Sequence, residues 1–220
     1  MPPKAILAGI LMGGFALTLP LWLSGTPEQK QRLAQTTTTM KVVEKSVGPL
    51  DIQPEEQARL RKMLAPPRPA NDGRSFEMTV WEKDIQEVIK PWVRDPEEAA
   101  TVARWVYIYS QRFNLSPELV LAVIAVESQF DHYAISNVGA RGLMQVMPFW
   151  KEKLGSPDDN LFEIETNIRY GCAILRMYLD RFHGDLKRAL AAYNGSLGRA
   201  RYPAKIYAQM KRFKAAAQDL

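Results

Sequence analysis

One cysteine, Cys172, stands in the 220 residues, and the only histidines are His132 and His183. A single thiol cannot close an intramolecular disulfide, and Ile168, Cys172 and Leu175 recur at helical spacing, which assigns the thiol to a core. The histidines lie far apart with no His-x-x-x-His or Glu-paired spacing, so no zinc pattern exists and no partner for a cysteine nucleophile. No metal or cofactor is expected. A basic recognition helix and a basic-aromatic array are both missing, which excludes nucleic acid as a partner. No clear alternation of apolar and polar residues marks a strand, and the fold class is therefore all-α. What is present is 46% apolar residues, enough for a core, and a modest net charge of +5 with the basic residues spread out except near the C-terminus. A positive surface suits an anionic polymer.

Charge is also absent from Ala5 to Leu23, 19 residues preceded by Lys4. That length is close to what a helix needs to cross a hydrocarbon core. The run is long for a cleaved signal, and no Ala-x-Ala site follows it, so an uncleaved anchor is favoured over a signal peptide. No cysteine near its end offers a lipid acceptor. Lys4 held on the cytoplasmic side would send the rest of the chain outward. Three regions follow: residues 1–25 as anchor or signal, 26–75 as linker, and 76–220 as a helical domain with its core at 95–210. The linker carries the Thr36–Thr39 run, Gly48-Pro49 and Ala65-Pro66-Pro67-Arg68-Pro69, with one short charged helix from Pro54 to Leu64. Pro54 suits a first helical position.

Order returns at Phe76 to Trp92, where Val80, Trp81, Ile85, Val88 and Ile89 fall near helical spacing. Asp95-Pro96-Glu97-Glu98 reads as a helix start, an N-cap followed by Pro and acids in the first turn. Ser116-Pro117-Glu118 opens another. Further helices are expected over Gly142–Gln145, Pro148–Leu154, Thr166–His183, Asp185–Tyr193 and Pro203–Ala217.

Leu119 to Val126 is apolar on every face, and a helix of that composition must be buried all round. Glu127 ends it. Burial and the negative end of the helix dipole both disfavour the charged carboxylate, so its pKa should rise, and a carboxyl that stays protonated can act as a general acid. A glycosidase pair needs a second carboxylate. Asp131 is the nearest, in a loop four residues on, whereas Asp158, Asp159, Glu163 and Glu165 read as helix caps.

Several pieces in order carry a family resemblance: Glu127-Ser128, Ser136, Gly139-Ala140-Arg141-Gly142-Leu143-Met144-Gln145, Met147-Pro148, Asn167-Ile168-x-x-Gly171 and Ala192-Tyr193-Asn194. The set resembles the lytic transglycosylases with a soluble-lytic-transglycosylase (SLT) catalytic domain. One departure is the Gly195-Ser196-Leu197-Gly198 that follows Asn194, where many members continue Ala-Gly. The resemblance implies a lysozyme-like α-helical fold, peptidoglycan glycan strands as substrate, and a location on the periplasmic side of the bacterial inner membrane, anchored by residues 5–23 or, if these are cleaved, free in the periplasm.

It further implies cleavage of the MurNAc-GlcNAc β-1,4 bond without water, giving 1,6-anhydro-MurNAc ends, with Glu127 as the single catalytic residue, acid and then base. Ser136, Gln145, Met147, Tyr193 and Asn194 are the implied substrate-binding residues, with Ser136 near the acetamido group and Tyr193 also placed to orient Glu127. Two alternatives stand beside this: a hydrolytic lysozyme on the same fold, which needs Asp131 or another acid to activate water, and a non-catalytic glycan-binding protein, which would have little use for an intact Glu127.

Overall fold

The structure is a computed structural model that describes residues 52–65 and 76–217. The apolar run at 5–23 lies outside the described residues, as do 24–51 and 66–75. Among the described residues there are eight α-helices: α1 Pro54–Leu64, α2 Phe76–Ile89, α3 Pro96–Arg112, α4 Pro117–Glu127, α5 Phe149–Leu154, α6 Ile164–Arg181, α7 Leu186–Tyr193 and α8 Arg201–Ala216. None of them is long and apolar enough to cross a membrane.

The capping residues act as their types dictate. Asp95 accepts a hydrogen bond from the Glu97 amide at 3.0 Å, Ser116 from Leu119 at 3.2 Å, and Asp185 from Arg188 at 3.0 Å. Each satisfies a donor that the first turn leaves unpaired, which fixes where α3, α4 and α7 begin. As its composition requires, α4 is buried on all sides from Leu119 to Ala125. It lies between α3 and α8, while α3 also packs on α2 and α6, and α6 on α7. Cys172 is fully buried in α6.

The short helix of the expected linker forms and is packed. α1 lies against α5 and α6, with Leu60 and Leu64 buried. Arg169 donates to the Leu64 carbonyl at 2.7 Å, and Gln57 to the Lys153 carbonyl at 2.6 Å.

Gly142–Gln145 is not a helix. The four residues form a turn flanked by the isolated bridge between Arg141 and Val146. Gly142 and Gln145 both take positive φ, +71° and +49°, which no helix tolerates. Leu143 and Met144 are fully buried because the turn docks on α6, so their apolar character reflects tertiary contact and not helical periodicity.

Candidate active site

α4 stops at Glu127 because Gln129 and Phe130 turn into left-handed backbone, with φ of +53° and +67°. For a bulky residue such as Phe130 that conformation is uncommon and must be held by its surroundings. Its ring is buried between Trp92 and Phe213, with centroids 5.5 and 6.3 Å away. The aromatic cage thereby sets where the helix ends.

From that end the Glu127 carboxyl meets α8. Tyr202 Oη donates to Glu127 Oε1 at 2.6 Å, and Asn194, at the C-cap of α7, faces the same cavity and favours the charged form of the carboxyl. Burial pushes the Glu127 pKa up, and it outweighs the hydrogen bond from Tyr202, the Asn194 side chain and the attraction of Lys205, which pull it down. Tyr202 is itself raised well above the ordinary tyrosine value by burial and then by the Glu127 charge, so its hydroxyl keeps its proton and remains a donor.

A cavity of about 300 Å³ opens beside this pair, lined by Val126 and Glu127 on one side and by Asn194, Ser196 and Tyr202 on the other. Arg199, Arg201 and Lys205 complete its wall. Glu127 is the one carboxylate on that lining. Of the other acids, none of which is on that lining, Asp131 Oδ1 accepts from the Tyr133 amide at 2.8 Å, Glu165 accepts from the Tyr109 hydroxyl at 2.7 Å, and Asp159 takes the Tyr170 hydroxyl and the Ser156 amide.

The loop between Asp131 and Pro148 is braced from within. The Ser136 amide donates to the Ala140 carbonyl and Ser136 Oγ accepts from the Ala140 amide, each at 3.0 Å. Gln145 Nε2 donates to the Ala134 and Gly142 carbonyls at 3.2 and 3.0 Å. Ser136, Gln145 and Met147 are not on the lining of the cavity at Glu127, and Met147 packs against the core.

The other motif pieces converge on Met144. Its amide donates to Asn167 Oδ1 at 2.7 Å, and its carbonyl accepts from Tyr193 Oη at 2.8 Å. Asn167 Nδ2 also donates to the Arg141 and Leu161 carbonyls at 2.8 and 2.7 Å. Met144 packs so closely on Gly171 that a Cβ there would lie 2.3 Å from its Sδ, and a Cβ on Gly142 would lie 2.4 Å from Asn167 Nδ2. The Tyr193 hydroxyl, expected to orient Glu127, donates to the Met144 carbonyl, and the hydroxyl that donates to the Glu127 carboxyl is that of Tyr202. Of the expected site residues, Glu127 and Asn194 come together at the cavity.

A family model, the transglycosylase SLT domain, matches residues 105–215, about half of the chain. The chain belongs to that family. The matched span runs from within α3 almost to the end of α8 and so includes both Glu127 and Tyr202. A transglycosylase of Enterobacteria phage PRD1 is 43% identical over 96 residues, covering 44% of this chain and 35% of that protein. The membrane-bound lytic murein transglycosylase C of Sodalis glossinidius is 34% identical over 105 residues, covering 40% of this chain and 29% of that protein. The chain thus spans about a third of the length of these relatives. Among solved structures, an inactive mutant of the lytic transglycosylase Slt from Pseudomonas aeruginosa is similar at 20% identity and a TM-score of 0.39, over 90% of this chain and 42% of that one.

Tyr202 and the three cations were not singled out in the sequence motifs. The one signal for them was the stretch from Leu186 to Gln218, which contains eight Lys and Arg residues and no acid.

Proposed function

We propose that this protein is a peptidoglycan lytic transglycosylase that cleaves the MurNAc-GlcNAc β-1,4 bond without consuming water. Glu127, protonated, gives its proton to the glycosidic oxygen as the bond from that oxygen to the muramoyl C1 breaks. The resulting carboxylate then takes the proton of the muramoyl 6-hydroxyl, whose oxygen closes on C1 to leave a 1,6-anhydro end. The 2-acetamido group of the substrate assists at C1, so the protein need not supply a nucleophile.

The observation that carries this reading is Glu127 itself: a carboxyl raised by burial, held at 2.6 Å by a neutral tyrosine, and alone among carboxylates on the cavity wall. A group serving as acid and then base needs a pKa lifted toward the working pH. A hydrolytic glycosidase would need a second acid to activate water or attack the sugar. Family membership and the lytic murein transglycosylase relatives support the same substrate class.

In this reading Ser136, Gln145, Met147 and Tyr193 contribute through the loop they shape, and Asn194 contacts substrate beside Glu127. Residues 5–23 anchor the chain in the inner membrane with the helical domain on the periplasmic side, which the names of the membrane-bound relatives support. Digestion of purified sacculi followed by mass spectrometry tests the chemistry. Anhydro-muramoyl ends are expected, and predominantly reducing ends, heavier by one water, would overturn it.

A further inference from the structure

The cavity at Glu127 carries more positive charge than proton transfer uses. Arg199, Arg201 and Lys205 all stand on its wall, and no side-chain ion pair or hydrogen bond engages any of the three among the described residues. They come from one short piece of chain. Arg199 lies in the loop after Asn194, Arg201 is the first residue of α8, and Lys205 is one turn further along the same helix. No acid lies nearby in sequence to neutralise them, because none occurs between Asp185 and Asp219. Some arginines elsewhere on the domain do meet an acid, Arg181 with Glu56 at 2.9 Å and Arg104 with Glu82 at 3.1 Å.

Lys205 has an evident second effect, since it lowers the Glu127 pKa. The two arginines are not among the causes of that shift. Grouped cations without partners in a cavity raise the local concentration of anions and hold one when it docks, and guanidinium groups suit carboxylates in particular.

We propose that Arg199 and Arg201 form a carboxylate subsite beside the scissile bond, which selects glycan whose sugars carry acidic groups over neutral glycan. The proposal rests on the reading of this cavity as a glycan cleft. The acid on the sugar has two sources of shared chemistry, the lactyl carboxylate of a bare muramoyl residue and the carboxylates of an attached peptide.

The test uses the full chain with Glu127→Gln, so that binding is read without turnover. Three ligands are compared: a neutral N-acetylglucosamine oligomer, peptide-free wall glycan, and peptide-bearing wall glycan of similar length. Binding should favour the acidic glycans by about 5-fold or more, a preference that shrinks as salt is raised. Arg199→Gln with Arg201→Gln should bring the ratio close to one. A preference shared by both acidic glycans assigns the lactyl group, and one confined to the peptide-bearing glycan assigns the peptide.

Equal binding of neutral and acidic glycans by the arginine-containing protein would overturn the proposal. So would a double arginine variant in the Glu127 background that keeps the ratio. With Glu127 restored, the double variant should keep the pH profile of turnover, and a displaced profile would show the arginines acting on Glu127 instead. If Glu127-containing protein releases no anhydro ends while the binding preference stands, the transglycosylase reading fails and the subsite survives.

Discussion

Tyr202 Oη reaches Glu127 Oε1 at 2.6 Å across 75 positions of sequence, joining the end of α4 to the first turn of α8. A buried neutral donor on one carboxyl oxygen fixes the rotamer of the acid. Since a hydrogen bond to the carboxylate favours the charged form, Tyr202 also lowers the pKa that burial raises.

Tyr202→Phe should therefore act in two directions at once. The rate at the optimum should fall by about 10-fold, the scale of one lost hydrogen bond to a charged or reacting group. Meanwhile the alkaline limb of the pH–rate profile should move to higher pH, because Glu127 loses a stabiliser of its charged form. A profile of kcat against pH on soluble glycan checks both, and a limb displaced to lower pH would contradict the assignment.

Glu127→Gln should abolish turnover, and its effect on stability should depend on pH. In the folded protein the Glu127 pKa lies above its ordinary value of 4.5. Folding therefore favours the protonated acid. Below the ordinary value both states hold the proton and the carboxyl is buried without penalty; as pH rises through the folded value the penalty of burying a charge grows to its full size. Glutamine carries no charge and still offers an acceptor to Tyr202. Thermal melts should show the variant gaining on the parent protein from pH 4 to pH 7, with the gap closing at the acid end.

The helix starts and the acid were legible in the sequence because each rests on local chemistry. Asp95, Ser116 and Asp185 cap the helices they precede, and the apolar run of α4 announces its own burial along with the carboxyl that ends it. The turn at Gly142–Gln145 was misread because Leu143 and Met144 are apolar for a partner on α6 that no local pattern reveals. Tyr202 was missed for the same reason, since its function depends on the packing of α8 against α4. Tyr193, matched by motif, donates to the Met144 carbonyl, while Tyr202, outside the motif, donates to Glu127. A motif tells which residues occur together but not which atom each one touches.

The Met144 turn yields a stability prediction. Asn167 is fully buried, and its amide group serves three backbone partners, at Arg141, Leu161 and Met144. Asn167→Ala would remove all three of these bonds and should cost about 3 kcal/mol or more by urea denaturation. Gly142→Ala meets both an unfavourable φ of +71° and a clash at 2.4 Å with the Asn167 amide. It should cost at least about 2 kcal/mol, and a loss below about 0.5 kcal/mol in either variant would mean that the turn is not held as described.

α1 precedes the family-matched span yet packs on it. Leu60 and Leu64 are only 3% and 4% exposed, against α5 and α6, and four polar contacts surround them: Arg169 to the Leu64 carbonyl, Gln57 and Arg61 to the Lys153 carbonyl, and Arg181 to Glu56. Burial of two leucines on a helix of 11 residues is what holds it, since a helix this short is marginal alone in water. Leu60→Ala and Leu64→Ala should each destabilise the domain by about 2–4 kcal/mol, the range for large-to-small changes in a closed core. Leu64→Ala should cost more, because the same residue places the carbonyl that accepts from Arg169. Were residues 54–64 only a spacer, both substitutions would leave the unfolding midpoint unchanged, so urea titrations of the two variants beside the parent protein decide whether the folded domain begins at α1 or after it.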